Sequence, residues 1–303
     1  MDALIQTQTS PETHVSRVTV ADGVALHCVS TGKGTPVLLL HGFPETHRSW
    51  DLQVPALVAS GYRALRCDLR GYARSDKPAS GYDLPTLARD VERLIDQLGA
   101  GPVRVVGHDW GGAIAWQLLE TCPEKLLNVT ILNCPHPRAM TRALLRNPRQ
   151  RRRSWYMFFF QLPSLPERWL RAHGGKNLSR LFRAGSPGES RVPEALIEAQ
   201  ARALIGPDGL RGPLAYYRTL FQVNRSALAA LRAPLRRSAR PVTLIWGEAD
   251  SCLGIELTFQ SDRYAPNLRM QLVPSAGHFA HQERPELVNE LLLAALARTE
   301  APA

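Results

Sequence analysis

A chain of 303 residues with 44% apolar side chains can bury a full core and, at roughly 100–200 residues per domain, suggests one or two domains. That excludes a disordered tail and a disulfide-stapled miniprotein. The five cysteines (Cys28, Cys67, Cys122, Cys134, Cys252) are scattered with no C-x-x-C pair, which argues against a zinc ribbon or a disulfide framework and fits a reducing, cytoplasmic setting. The first residues, MDALIQTQTSPETH, carry neither a basic nor an apolar targeting region, and no run of apolar residues is long enough to span a bilayer, so a soluble, cytoplasmic chain is expected.

The charge is uneven. Lys and Arg number 37 against 27 Asp and Glu, a net +10, yet residues 135–240 alone hold 21 basic and 5 acidic residues. The rest of the chain is acidic on balance. A basic segment of this kind can meet nucleic acid or an anionic membrane.

In chain order, strand-like runs begin at Val15 (VSRVTV), Val24 (VALHCVS), Pro36 (PVLLL), Tyr62 (YRALRCD), Pro102 (PVRVVGH), Asn128 (NVTILN), Pro241 (PVTLIWG) and Leu268 (LRMQLVP). Helical patterns run from Leu84 to Leu98, with Leu87, Val91, Leu94, Ile95 and Leu98 on one face, and from Pro285 to Leu296. The alternation predicts a mostly parallel, eight-stranded α/β sheet covered on both faces. Residues 135–240 break the rhythm: they are rich in Arg, Leu and Ala and punctuated by Gly174, Gly175, Pro207, Gly212 and Pro213. So long an insertion is expected to be a helical cap over the carboxyl ends of the strands. Residues 1–134 and 241–303 are then the catalytic core.

The most informative segment is Gly107-His108-Asp109-Trp110-Gly111-Gly112, where an apolar strand runs through a tight turn into a helix with small residues at its start. In that context the central side chain is a candidate nucleophile. Here it is aspartate. Ordinary carboxylates, with a pKa of about 3.9, are ionised at neutral pH and can attack without a base, so Asp109 suits displacement at an sp³ carbon to give an alkyl ester. A histidine is then needed to activate water against that ester. His278, in Ser275-Ala276-Gly277-His278-Phe279, follows the last strand, and Asp250, in Gly247-Glu248-Ala249-Asp250, follows the strand before it. Glu248 is a rival for the acid, and His281 is expected to be solvated or to cap the next helix. Backbone N–H groups of Phe43, in His41-Gly42-Phe43-Pro44-Glu45, and of Trp110 are the expected oxyanion donors. The other histidines show no second ligand at metal spacing, so no metal is expected.

Taken together, His41-Gly42-Phe43-Pro44, Asp68-Leu69-Arg70-Gly71-Tyr72, the Asp109 turn, Asp250 and Gly277-His278 resemble the α/β-hydrolase fold, in its branch with an aspartate nucleophile: epoxide hydrolases and haloalkane or haloacid dehalogenases. The resemblance covers nearly the whole chain from about Val15. It implies two cap tyrosines that polarise an epoxide oxygen. They match Tyr156, in Trp155-Tyr156-Met157-Phe158-Phe159-Phe160-Gln161-Leu162-Pro163, and Tyr217, in Leu214-Ala215-Tyr216-Tyr217-Arg218, with Tyr216 an alternative. It implies an apolar epoxide as substrate, no cofactor, and a pocket formed by His41, Pro44, Trp155, Phe158, Phe159 and Phe279. The dehalogenases of the branch differ where this chain has Phe43 in place of Asn, and Trp110 and Ala113 in place of Arg. A haloalkane dehalogenase and a non-catalytic ligand-binding homologue are the alternatives. No nucleic-acid motif is present. The cluster Arg142, Arg146, Arg149, Arg151, Arg152 and Arg153 reads as a solvated cap surface, with weak association with anionic membranes as the sharper reading. Monomer and homodimer both stay open.

Overall fold

The computed structural model describes residues 12–187, 191–221 and 235–298. Most of the amino-terminal segment lies outside them. All eight expected strands form: β1 (Thr13–Ala21), β2 (Val24–Thr31), β3 (Thr35–Leu40), β4 (Tyr62–Cys67), β5 (Val103–His108), β6 (Leu126–Leu132), β7 (Val242–Gly247) and β8 (Leu268–Val273). They build one sheet in the order β1-β2-β4-β3-β5-β6-β7-β8. Pairs β1/β2 and β2/β4 are antiparallel, and the rest are parallel.

The period-two alternation of each strand divides the core between the faces. Leu38, Leu40, Val105, Ile131 and Leu244 enter one cluster with helices α2 (Leu84–Leu98) and α3 (Trp110–Thr121). Val37, Leu39, Val106, Leu132 and Ile245 enter the other, with α1 (Val54–Ala59) and the C-terminal helix Pro285–Leu296. Because both faces are covered, the central strands can be continuously apolar; β7 is buried throughout. At the edge, β1 is mostly exposed and carries polar residues. Helix α2 shows the local logic. Asp83 caps it by accepting from the Thr86 N–H, left-handed Gly99 ends it, and the expected stripe of Leu87, Val91, Leu94 and Ile95 is buried.

Between β6 and β7 come α4 (Pro137–Arg146), α5 (Pro148–Arg153), α6 (Trp155–Phe159), α7 (Leu165–Gly185, kinked at Ala172–Gly175), α8 (Glu194–Leu204) and α9 (Arg211–Phe221). Helix α9 sits on the loop after β4. A Cβ on Gly212 would lie 2.5 Å from the Gly71 Cα, so the two backbones touch where neither can carry a side chain. Beside them the Tyr216 hydroxyl donates to the Arg70 carbonyl at 2.8 Å. Arg70 in turn forks onto buried Asp90 of α2, at 2.5 and 2.7 Å. Among the described residues, no helix is long and apolar enough to cross a membrane.

Candidate active site

Asp109 stands between β5 and α3 with φ 49° and ψ −114°, a strained conformation for a residue with a side chain. The flanking glycines make it possible. A Cβ at Gly107 would lie 2.3 Å from the Gly111 carbonyl oxygen, and one at Gly111 would lie 2.2 Å from that of Leu40. Strand β3 lies beside β5, with Leu40 opposite Gly107, so the loop after β3 reaches the carboxylate. The Phe43 N–H donates to Asp109 Oδ1 at 2.8 Å. Trp110 is the first residue of α3, where backbone N–H groups have no intrahelical acceptor.

Adjacent strands β7 and β8 deliver the other two residues. His278 Nδ1 lies 2.9 Å from Asp250 Oδ2, and its Nε2 is 3.7 Å from Asp109 Oδ2. Asp250 is fixed by four donors: Cys252 and Leu253 N–H to Oδ1, and Asn133 Nδ2 and His278 to Oδ2. Its rival Glu248 points to solvent. Burial alone would depress the His278 pKa, but the Asp250 carboxylate, which accepts from Nδ1, and the Asp109 carboxylate near Nε2 raise it well above the ordinary value.

A cavity of about 450 Å³ opens above Asp109, and Tyr156 and Tyr217 face it. Their ring centroids are 5.9 Å apart. Burial raises both phenol pKa values well above normal, so both keep their protons at neutral pH and can donate to a ligand oxygen. The Trp110 ring meets the Tyr217 ring edge-on, with centroids 5.3 Å apart, and opposes that rise in part. Tyr216 points the other way, onto the Arg70 carbonyl.

Of the expected pocket residues, Pro44, Trp155 and Phe279 line the cavity, together with Phe43. His41, Phe158 and Phe159 do not. His41 is buried behind the loop, with Nδ1 2.8 Å from the Gly42 carbonyl oxygen and Nε2 accepting from the Leu69 N–H. Helix α6 has five residues and can turn only one side inward. It presents Tyr156, leaving Phe158 exposed against Phe221 and Phe159 against Trp155 and Trp169.

Sequence reading missed Arg152, Arg153, Leu181, Ala184, Ser251 and Cys252, which complete the lining. Burial pushes the Cys252 thiol up to about 11. His281, expected in solvent or as a helix cap, is instead wholly buried within the short helix Ala280–Glu283, and burial holds its pKa down at about 4. It belongs to a group that spacing along the chain did not reveal. Glu45 Oε2 accepts from the Gly42 N–H and lies 2.7 Å from His108 Nδ1, while Oε1 is 3.4 Å from His281 Nε2 and accepts from Gln282. His108 Nε2 lies 2.9 Å from the His278 carbonyl oxygen. His27, His47 and Asp68 form a second such group. In each the carboxylate already accepts backbone N–H bonds, from Gly42 in one and from His47 in the other, so both act as hydrogen-bonded braces of the loops after β3 and β4. The one available sequence signal was position, since Glu45 and His108 stand next to the Phe43 loop and Asp109 in the chain.

An aspartate on a strained strand-to-helix turn, with a second aspartate after β7 and a histidine after β8 brought beside it, is the arrangement of a hydrolase of the α/β type. The family model for the alpha/beta hydrolase fold matches residues 35–285, and the chain belongs to that family. It is 35% identical over 285 residues to Epoxide hydrolase 4 of Mus musculus, covering 90% of this chain and 77% of that protein. It is also 35% identical over 276 residues to AB hydrolase superfamily protein YfhM of Bacillus subtilis (strain 168), covering 90% of this chain and 94% of that protein. The solved epoxide hydrolase of Bacillus megaterium in complex with an inhibitor superposes with a TM-score of 0.81 at 27% identity, covering 93% of this chain and all of that one.

Proposed function

We propose that this chain is an epoxide hydrolase that converts an apolar epoxide to a vicinal diol, with residues 135–240 as its cap. Asp109 attacks a ring carbon while Tyr156 and Tyr217 donate to the ring oxygen, leaving an alkyl ester on Asp109 and, after proton transfer, a hydroxyl. His278, oriented by Asp250, then takes a proton from water, which attacks the ester carbonyl. The Phe43 and Trp110 N–H groups stabilise the resulting oxyanion. Esterification removes the negative charge beside His278 Nε2, so the first step lowers the imidazole pKa for the second. The observation that carries this reading is the pair of protonated tyrosines facing Asp109 across one cavity. The activity of the named relatives supports it.

The dehalogenase reading is weaker on the same geometry. The Phe43 ring packs against Phe160 and Tyr217, and the Trp110 ring packs against Tyr216 and Tyr217 and does not line the cavity where a halide would leave. Repeated turnover in ¹⁸O-water tests the ester route: label should enter the Asp109 carboxylate, and diol formed with no label there would rule it out. The reading includes weak association of the basic cap with anionic membranes, supported by the exposed apolar side chains of Leu145 on α4 and of Trp155 and Phe158 on α6, which follows the arginines of α5. Co-sedimentation with liposomes that does not depend on anionic lipid would remove that part. The reading involves no nucleic acid and no cofactor.

A further inference from the structure

A second cavity, of about 300 Å³, lies between α4 and the short 3₁₀ turns Ile255–Thr258 and Ser261–Arg263 that follow β7. It shares no lining residue with the cavity above Asp109. Three guanidinium side chains line it, Arg142 and Arg146 from α4 and Arg263 from the facing turn. All three are exposed, and none makes an ion pair or side-chain hydrogen bond among the described residues. Arg142 and Arg146 stand one turn apart on the same side of α4, a like-charge pair that weakens a helix, and α4 holds no acidic residue to relieve it. The one carboxylate in the lining, Glu256, is already shared: Oε1 lies 3.4 Å from Asn147 Nδ2, and Oε2 lies 3.5 Å from Arg153. Asp262, next to Arg263 in the chain, is outside the lining. Uncompensated positive charge therefore collects in a concave site, which draws an anion.

Two features narrow that anion. A carboxylate has two oxygens and one charge, which a single guanidinium satisfies, whereas a phosphomonoester offers three terminal oxygens and about −1.5 to −2 charge at neutral pH, enough for three. Each of the two segments that form the cavity also exposes a large apolar side chain, Leu145 on α4 and Phe259 between the two turns. Apolar side chains of this kind enter the acyl boundary of a bilayer while neighbouring arginines meet its headgroups.

We propose that this groove is a headgroup site for a phosphomonoester lipid, with Arg142, Arg146 and Arg263 on the phosphoryl oxygens and Leu145 and Phe259 in the bilayer surface. It rests on the membrane association in the proposed function and is independent of the hydrolase chemistry.

The experiment measures binding to phosphatidylcholine vesicles that carry either phosphatidic acid or phosphatidylserine, in amounts that give equal zeta potential. The wild-type protein should bind the phosphatidic acid vesicles about tenfold more tightly, the worth of one charge-assisted hydrogen bond. R142Q and R263Q should each remove that preference with no change in the denaturation midpoint, and R142K should retain part of it. R149Q, an exposed arginine outside the groove, should weaken binding to both vesicles alike and keep the preference. Calorimetry with glycerol 3-phosphate probes the phosphoryl group without a membrane. If it binds as tightly as the vesicles do, and L145S and F259S leave vesicle binding unchanged, the site serves a soluble phosphate and the lipid proposal is overturned. If neither anionic vesicle binds better than phosphatidylcholine alone, the membrane reading fails and the headgroup site with it. If both bind equally, or the preference survives R142Q and R263Q, the membrane reading stands and the headgroup site alone falls.

Discussion

Tyr216 and Tyr217 are neighbours in the chain and opposites in role: the Tyr216 hydroxyl is spent on the Arg70 carbonyl at 2.8 Å, whereas Tyr217 faces the cavity above Asp109. On a helix, adjacent residues point about 100° apart, and here the turn of α9 that brings Tyr217 to the cavity carries Tyr216 onto the loop after β4. Y217F should lower kcat/KM for an epoxide by about 10²-fold, as loss of a proton donor does. Y216F should instead lower stability by about 1 kcal/mol, with little loss of turnover by the surviving fold. Steady-state kinetics beside chemical denaturation of both variants checks this.

The order of events at Asp109 and His278 can be separated by trapping. H278Q should still be alkylated by substrate but should fail to release the ester, so intact-protein mass spectrometry should find the protein heavier by one substrate. D109N should show no added mass and no diol. Diol formed by D109N at the wild-type rate would move the nucleophile elsewhere.

The proton on His278 is held largely by its two carboxylate neighbours against the effect of burial. Removing one of them, in D109N, should lower its pKa, and NMR titration of labelled histidine would show it. The sign follows for stability. A histidine whose pKa is raised in the folded state contributes stability that is complete below its unfolded pKa of about 6.5 and is lost as pH rises through the folded value. D109N should therefore flatten the alkaline side of the stability profile.

His281 works in the opposite direction. Its folded pKa of about 4 lies below the ordinary 6.5, so the unfolded chain binds more protons between those values. Stability should fall as pH drops through that window, and H281Q should make the decline shallower. Thermal denaturation scanned from neutral pH to about pH 4 measures the difference.

The contact between α9 and the loop after β4 should be sensitive to a single added carbon. G212A places a methyl against the Gly71 backbone, which cannot move aside as a flexible side chain would. A loss of about 1–3 kcal/mol is expected, typical of overpacking, together with a raised KM because α9 carries Tyr217. Denaturation and kinetics on the same preparation test both parts.

The sheet was legible because its strands are nearly pure local signals: Val37–Leu40 and Val242–Trp246 are apolar runs too short for helices, bounded by turns. Asp109, Asp250 and His278 were legible because each follows such a strand, and strand ends converge. Direction within a helix was harder. Trp155 to Phe160 are all large and apolar but for one hydroxyl, so composition could not tell the inward Tyr156 from the outward Phe158. Spatial grouping was hardest. Glu45, His108 and His281 come from three separate segments, and only the sheet order brings them within bonding distance. Arg152 and Arg153 were hidden among other arginines, because a helix end that borders a cavity has the same sequence as one in solvent.

The meeting of Gly71 with Gly212, tied beside it by Tyr216 and Arg70, also bears on engineering. A cap grafted from a relative would bring its own pocket walls but would have to land on this loop. A chimera in which the incoming helix puts any side chain at the Gly212 position, or lacks the phenol one turn later, would seat the residue in the Tyr217 position at the wrong height above Asp109. Exchange of selectivity between homologues is therefore expected to succeed when the loop after β4 travels with the cap as a single cassette.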